Sequence, residues 1–259
     1  MITYWVGGAA FWVHMAWAGE VLRIVFWPAT AGQDAPELFQ LIAGQSADNT
    51  QKKGLALPVL SLAAGEWRGF ALTVAVQVGR FEAALTMVDP EPTAPTLVPH
   101  IPRELLSEAI DAMRILTEKL SDIGPANRLA AHMQLVEALD TVEAGTAFLN
   151  AELGNIFPAE ADHIQYQLNV RRAVDDLSIN RIAKWGVITV STMQVALDAG
   201  GSNVLAPVKG EERHLTFLHL DINNVPQESP MAPAAEKALG KVLWDEADKI
   251  MKGGKRALS

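Results

Sequence analysis

The sequence predicts an α+β protein built from antiparallel sheets, with amphipathic helices packed on one side of them. One observation behind this is a set of two-residue alternations rich in aromatic side chains. The clearest runs from His163 to Val170, with an apolar side chain at every second position, which is typical of a half-buried strand. The other is the order of the segments, strands and then a helix, twice, which favours α+β over βαβ proteins.

The chain of 259 residues is 49% hydrophobic and 20% charged, enough for a sizeable core and too apolar for a disordered protein. Its length fits one large domain or two ordinary ones. Because strands followed by a helix occur on both sides of about residue 125, we predict two similar β-then-α halves, 1–125 and 126–259. No residue-level repeat links the two halves.

Turn and capping residues predict the elements of the first half. Two aromatic-rich runs flank Ala18-Gly19, whose glycine can adopt a positive φ, and this favours a hairpin. The stretch Asp34–Glu37 has the spacing of a capping box, and Gly79-Arg80 separates two apolar runs. The predicted elements are a hairpin over 9–27, a helix over 35–43, strands over 70–88 and a helix over 103–120.

The second half is predicted in the same way. Alternation favours strands, the stretch Asp140–Glu143 has the spacing of a capping box, and Gly154 is a typical residue just past a helix end. The predicted elements are strands over 128–138, 163–170, 182–197 and 214–222, with helices over 141–153 and 234–251. Within the first half, the Pro-rich stretch 89–102 is predicted to be an extended connector and the clearest internal boundary of the chain.

The motifs of several common chemistries are absent from the sequence. The chain has no phosphate-binding glycine loop, no Gly-x-Ser-x-Gly elbow and no His-Glu-x-x-His helix. It also has no cysteine, which excludes disulfides, thiolate nucleophiles and cysteine-ligated metals. We therefore predict no catalytic residue, no cofactor and no metal site, and we lean towards a protein that is not an enzyme.

Charge and targeting signals bear on partners and location. The net charge of −9 opposes nucleic-acid binding by this chain alone, and the basic residues over 249–256 suit a helix C-terminus. A signal peptide would have a Lys or Arg before its apolar stretch, but none precedes the apolar start of this chain. No later stretch is apolar enough to span a bilayer. With no cysteine, these features predict a cytoplasmic protein that does not engage a membrane.

The nearest approach to a catalytic pair is His219-Leu220-Asp221. Residues two apart in a strand point to the same side, so His219 and Asp221 are predicted to be adjacent on one face. A carboxylate that orients an imidazole begins an acid–base pair or a metal site. No nucleophile or third ligand stands nearby in the sequence, so a solvated polar face at a strand end is the favoured interpretation.

The alternating strand carries an unusual polar side. Ile164, Tyr166, Leu168 and Val170 are predicted to face inward, which leaves a row of uncharged polar side chains on the other side. Such a row suits a hydrogen-bonding contact with a partner better than a plain solvent face. Arg171 and Arg172 either form local ion pairs with Asp175 and Asp176 or contribute to that contact. The candidate interaction surface consists of His163, Gln165, Gln167, Asn169, Arg171, Arg172 and Trp185.

Two segments of the second half also carry a resemblance. The stretch Gln165–Asn169 and the stretch Ile179–Trp185, in which Asn180 and Arg181 precede a strand, resemble a sporadically distributed family of uncharacterised bacterial proteins. A C-terminal strand and helix, about 215–251 here, complete the similarity. The resemblance implies an α+β fold and a bacterial source, and it assigns no activity and no site residue.

Two functions from different classes fit these features. The first is a non-catalytic interaction or assembly subunit of a bacterial complex, with a protein partner or self-association, because aromatic strands with apolar residues on both faces often form interfaces. The second is a small-molecule binder or enzyme with an aromatic-lined cavity on a curved sheet. The tryptophans Trp5, Trp12, Trp17 and Trp185 are expected to line that cavity, with His219 and Asp221 as its polar groups.

Overall fold

The structure is a computed structural model. It describes residues 2–6, 9–13, 17–28, 32–52, 59–88, 100–161, 163–174, 176–195 and 207–259, called the described residues below. Their strands are β1 Ile2–Val6, β2 Ala9–Val13, β3 Ala18–Pro28, β4 Asn49–Lys52, β5 Val59–Trp67, β6 Phe70–Gln77, β7 Arg80–Met87, β8 Ala126–Leu139, β9 Gln165–Val174, β10 Leu177–Val195 and β11 Pro207–Asn224. Their α-helices are α1 Ala35–Ala43, α2 Leu106–Leu120, α3 Val142–Leu153 and α4 Pro233–Gly253.

Nine of these strands form one antiparallel sheet, in the order β4-β5-β6-β7-β3-β8-β11-β10-β9. The strands β1 and β2 pair with each other in a separate two-stranded sheet. The pairing of β3 with β8 joins the N-terminal strands to the C-terminal strands, so one sheet runs through both predicted halves. The α+β class with antiparallel strands is therefore confirmed, while the division at residue 125 stays a prediction.

The four helices cover one face of the nine-stranded sheet. Phe39 of α1 packs against Gly65 of β5, and Gly145 of α3 packs against Val187 of β10. The strand register places Gly65 and Val187 on the same face of the sheet. The helix α4 contacts β8 and β11 on this side, and α2 packs against α4 and β3. The opposite face, which no described helix covers, is called the open face below.

The core lies between the helices and the sheet. A row of fully or almost fully buried side chains crosses six neighbouring strands at one level. From β6 to β10 the row consists of Leu72, Leu85, Leu22, Met133, Leu220 and Ala183. Among the described residues the largest buried side chains are three tryptophans, and Trp244 of α4 donates its indole N–H to the Thr117 hydroxyl of α2 at 3.0 Å. This bond satisfies a polar group that burial would otherwise leave unpaired.

The structure bears on both capping boxes that the sequence predicts. Asp34 caps α1 as a capping box, with its side chain accepting from Glu37 N at 3.2 Å, and Gly44 ends this helix with a φ of 73°. The second capping prediction was wrong in its register. The residue that caps α3 is Thr141, whose hydroxyl accepts from Ala144 N at 3.1 Å, rather than Asp140. Threonine and aspartate are both favoured N-cap residues, so the sequence alone did not separate the two.

The predicted hairpin over 9–27 was wrong. Its first arm, β2, pairs with β1, and its second arm, β3, pairs with β7 and β8. Gly19 lies inside a strand instead of a turn, and it exchanges backbone hydrogen bonds with Ile101 at 2.8 and 2.6 Å. A Cβ at Gly19 would lie 2.8 Å from Leu106 Cδ2 and 3.2 Å from Ile101 Cβ. The glycine therefore permits a close approach of neighbouring segments and does not supply a positive φ.

Most other elements lie where they were predicted, with longer strands. The strand β8 covers the predicted 128–138, and β11 extends the predicted 214–222 in both directions. The helix predicted over 103–120 begins with a short 3₁₀ turn, Arg103–Leu105. Hydrogen bonds between neighbouring strands continue beyond the residues that alternate between apolar and polar, and the strands are therefore longer than predicted. Residues 89–99 of the predicted connector lie outside the described residues.

One glycine of β10 gives a direct test of how tightly the sheet is packed. A Cβ at Gly186 would lie 2.5 Å from Cζ of Phe217 and 2.6 Å from the backbone oxygen of Ile164. Because the carbonyl belongs to the backbone, Gly186→Ala is expected to lower the free energy of unfolding by about 1–3 kcal/mol. Urea denaturation checks this, with Gly124→Ala as control, since a Cβ there meets nothing within 4 Å. An equal effect of the two variants would contradict the steric account.

Candidate functional site

The strand β9 forms one edge of the nine-stranded sheet. It pairs with β10 over its full length of 10 residues, from Gln165 opposite Gly186 to Val174 opposite Leu177, without a register shift. Within the described residues no other strand pairs with β9, so one side of its backbone has no ladder partner there. The other edge strand, β4, has only 4 residues. The long unpaired edge of β9 is called the β9 edge below.

The side chains of β9 divide as the alternation predicts. Gln165, Gln167 and Asn169 are exposed on the open face, and His163, just before the strand, is also exposed. Tyr166, Leu168 and Val170 are half-buried and pack against the core on the helix side. Lys255, in the 3₁₀ turn after α4 at Gly254–Leu258, places its ammonium 5.5 Å from the centre of the Tyr166 ring. Over residues 165–170 the β9 edge thus presents uncharged polar groups on one side and apolar groups on the other.

Two residues of the candidate interaction surface do not share this face. Trp185 is fully buried in the core, where its ring centre lies 6.0 Å from that of Tyr166. Arg172 points to the helix side, because it stands at an even position of β9, and its Nη1 donates to Glu246 Oε1 at 2.6 Å. The prediction that both lie on one contact surface with Gln165 and Asn169 was therefore wrong. The odd residue Arg171 does belong to the open face.

A chain of polar contacts starts at Arg171 and crosses the open face. Its Nε donates to Asn180 Oδ1 at 3.2 Å, and Asn180 Nδ2 donates to Asn223 Oδ1 at 3.1 Å. Asn223 Nδ2 in turn donates to Asp221 Oδ1 at 2.8 Å. The same Asp221 oxygen lies 3.9 Å from His132 Nε2. These contacts link the edge strand β9 to β10, β11 and β8.

The chain continues on the far side of His132. Arg23 of β3 stands opposite His132, and its Nη1 lies 3.6 Å from Glu82 Oε2 of β7. Burial lowers the pKa of His132, while the nearby Asp221 raises it less strongly, so the net shift is below the usual range of imidazole. His132 is therefore neutral near pH 7, and its contact with Asp221 is polar and not a full ion pair.

The predicted pair of His219 and Asp221 lies on one face, as expected, but the structure brings a different histidine to the carboxylate. His219 stands beside Phe217, with ring centres 4.5 Å apart, and burial lowers its pKa below the usual range. His132, which the sequence analysis did not select, lies directly opposite Asp221. Residues this far apart in the chain carry no local signal of their pairing. Within the described residues, no group of three His, Cys, Asp or Glu side chains could hold a metal ion.

A pocket of about 580 Å³ lies on the helix side, at the end of β3 and beside the β6–β7 turn. Phe26 and Phe81 line it as a stacked pair, with ring centres 5.1 Å apart and planes at 10°. This is not the cavity that the tryptophans were expected to form. Trp17 and Trp185 are buried in the core, and the side chains of Trp5 and Trp12 lie outside the described residues.

None of the described helices is both long enough and apolar enough to cross a membrane. Comparisons of the chain with protein-family models, with curated proteins and with solved structures found no match.

Proposed function

We propose that this protein is a non-catalytic interaction subunit of a bacterial complex, and that it binds an extended, acidic segment of a partner protein along the β9 edge. The observation that carries the proposal is the 10-residue edge strand, which pairs with β10 alone within the described residues. A partner segment that adds a strand gains main-chain hydrogen bonds along this edge, and alternate side chains determine its specificity.

The β9 edge has few of the devices that discourage strand addition. Sheet edges are normally blunted by proline, by charged side chains such as lysine, by a bulge or by shortness, and of these β9 has only the charges of Arg171 and Arg172. The strand β9 contains no proline and no lysine, and its register with β10 has no bulge. The opposite edge strand, β4, is protected by its short length and by Lys52. The contrast favours β9 as the edge that serves for binding.

The charges near β9 favour an acidic partner segment. The stretch from His163 to Val174 contains no Asp or Glu but has two arginines and a histidine. Arg172 is paired with Glu246, whereas Arg171 is exposed and bonds to the uncharged Asn180. Two acidic residues precede this stretch within three positions and two more follow it directly, so the positive charge is confined to β9 itself. An anionic side chain opposite Arg171 would gain a charge-assisted hydrogen bond.

The bacterial source and the cytoplasmic location belong to this proposal. The source is supported by the resemblance carried by Gln165–Asn169 and Ile179–Trp185, and the location by the absence of cysteine. Disulfides are rare in proteins of a reducing compartment, so a fold without cysteine fits the cytoplasm.

A peptide of alternating glutamate and valine, ten residues long and fluorescently labelled, tests the β9 edge. Fluorescence anisotropy is expected to show that it binds the wild-type protein, and that the matching lysine–valine peptide does not. The double variant Gln167→Glu/Asn169→Glu adds two carboxylates to exposed positions of β9. Because like charges then face the peptide, its affinity is expected to fall by about tenfold or more.

The other edge of the sheet supplies a matched control. Asn49 and Gln51 of β4 are also exposed and also two apart on the open face, so Asn49→Glu/Gln51→Glu makes the same change away from β9. This variant is expected to bind the peptide as the wild type does. Equal binding of both peptides, or no loss in the β9 variant, would overturn the proposal. Self-association in sedimentation velocity that the β9 variant abolishes would assign the edge to a second copy instead.

A further inference from the structure

We infer that the partner segment adds to β9 as an antiparallel strand, with an acidic residue near its own N-terminus opposite Arg171 and with apolar residues opposite the half-buried side of β9. This inference rests on the proposed function of the β9 edge, and it adds the direction and the sequence pattern of the partner. The observations behind it are the direction in which the backbone groups of β9 point and the distribution of its side chains over two faces.

One backbone hydrogen bond determines which residues of β9 present their backbone to the free edge. Val187 N of β10 donates to Ile164 O at 3.1 Å, and the register of the two strands places these residues directly opposite each other. In an antiparallel pair of strands, opposite residues that share such bonds alternate with opposite residues whose backbone groups point away from each other. The even residues of β9 therefore bond to β10. The odd residues direct their N–H and C=O groups outward, and they are Gln165, Gln167, Asn169, Arg171 and Ala173.

The bonds on the other side of β10 agree with this alternation. Val225 N donates to Ser178 O at 2.9 Å, so the even residues of β10 bond to β11 and the odd ones, such as Val187, bond to β9. Since the register of β9 with β10 has no shift, the alternation holds along the whole of β9. Within the described residues no hydrogen bond reaches the outward backbone groups, so they are open to an added strand.

The same alternation gives the side chains of the partner two environments. Opposite residues of an antiparallel pair lie on the same face, so partner residues opposite the odd positions lie on the open face, where the β9 side chains are exposed. The partner residues between them lie opposite Tyr166, Leu168 and Val170, which are half-buried against the core. These are the pairs without backbone bonds, in which side chains approach most closely. Apolar partner residues therefore fit there.

Arg171 determines where the acidic residue lies. Among the outward residues it has the charged side chain, and it stands towards the C-terminal end of β9. All eight pairs of neighbouring strands in the nine-stranded sheet are antiparallel, and antiparallel pairing is the more stable per residue. An antiparallel partner reaches the position opposite Arg171 before the one opposite Gln165. Its pattern is therefore an acidic residue followed by alternating apolar and uncharged residues.

Two peptides of the same composition, acetylated and amidated, test the direction by isothermal titration calorimetry. The first is Glu-Val-Thr-Val-Thr-Val-Thr, and the second has the reverse order. The first is expected to bind the wild-type protein about tenfold more tightly, since as an antiparallel strand it pairs its glutamate with Arg171. Arg171→Gln is expected to remove this difference. Arg80→Gln is expected to keep it and is the matched control, because Arg80 also bonds to a neutral amide, that of Gln77, but belongs to β7.

N-methylation of single residues in the first peptide tests which backbone groups face β9. Its central valine lies opposite Leu168, where the partner N–H points away from β9, so the methyl group there is expected to change the affinity by less than about twofold. The threonine before it lies opposite Asn169 and donates to β9, so methylation there is expected to weaken binding by about tenfold or more. A parallel strand would reverse the two effects, because its bonds come from the residues on either side of the opposite one.

The outcomes separate this inference from the function on which it rests. If neither peptide binds the wild-type protein, the proposed function fails and the inference fails with it. Equal binding of the two peptides, tighter binding of the reversed one, or a larger loss from the methylated valine would overturn the antiparallel pattern alone. A difference that persists in Arg171→Gln would overturn the role of Arg171. Thermal unfolding checks that both variants are folded.

Discussion

Replacing Glu246 by alanine is expected to lower the free energy of unfolding by about 3–5 kcal/mol, because it leaves a buried arginine without its counter-charge. Glu246 of α4 is 2% exposed, and its carboxylate binds Arg172, Arg181 and Lys249 at 2.6, 3.2 and 2.8 Å. Arg181 is itself 6% exposed, so it cannot turn to water when the carboxylate is removed.

The same arginine fastens the end of the chain. Arg181 Nη1 and Nη2 donate to the backbone oxygens of Ala257 and Leu258, at 3.2 and 3.0 Å. Burial raises the pKa of Glu246, but Lys249 and Arg172 together outweigh it and hold the pKa below the usual range. A lowered pKa gives stability that is present above the ordinary value of 4.5 and is lost as the pH falls below it.

Guanidinium denaturation at pH 7 measures the effect of Glu246→Ala. Asp245→Ala on the same helix is the control, because Asp245 binds Arg114 at 2.8 Å with 37% of its side chain exposed. An exposed pair of this kind contributes only about 0–1 kcal/mol. If the two variants lose the same stability, burial of the Glu246 cluster is not the source of the effect.

The second large effect is a loss of stability with rising pH that comes from Glu236. This residue of the first turn of α4 is fully buried, and burial raises the pKa of its carboxyl from 4.5 to about 7. The hydrogen bond from Ala126 N and the nearby Ser121 hydroxyl lower the pKa only in part. Between pH 4.5 and about 7 the unfolded chain releases this proton while the folded protein keeps it. The free energy of unfolding is therefore expected to fall by about 3 kcal/mol across this range.

The variant Glu236→Gln separates this group from the other carboxyls. Burial also raises the pKa of Glu137 and Glu152, so the wild-type slope contains several contributions. The introduced glutamine does not ionise, and its amide oxygen can accept from Ala126 N as the carboxylate does at 2.9 Å. We expect the variant to be more stable than the wild type at pH 8 and no more stable at pH 4. Glu228 is exposed, so Glu228→Gln is the control. The urea concentration at the unfolding midpoint, measured for each variant at pH 4 and pH 8, checks the prediction.

The sequence predicted features that depend on near neighbours in the chain. The start and end of α1 follow from Asp34, Glu37 and Gly44, and all the groups that form these caps lie within one helical turn. The division of β9 into an exposed polar side and a half-buried side follows in the same way from its period of two. Both predictions needed no knowledge of which strands are neighbours.

The failures concern strand partners. Gly19 has the composition of a turn but the role of a close contact, and only the position of Ile101 and Leu106 reveals this. Likewise, Asp221 was assigned His219 because it is two residues away, whereas His132 comes to it from a strand far away in the sequence. Trp185 was placed on a surface because aromatic residues often form interfaces, but its odd position in β10 directs it into the core. A single sequence does not show which of its distant residues become neighbours in the fold.

The position of β3 between β7 and β8 has a consequence for the order in which the protein assembles during synthesis. The strands β4 to β7 can pair with one another as they leave the ribosome, since each follows its neighbour in the chain. In contrast, β3 waits for β8 with α1, β4 to β7 and α2 in between, and until then its apolar row Leu22, Ile24 and Phe26 borders an incomplete edge. Pairings so distant in sequence form slowly. The apolar row of β3 therefore stays exposed longest on the nascent chain, which makes β3 the segment that a chaperone would protect.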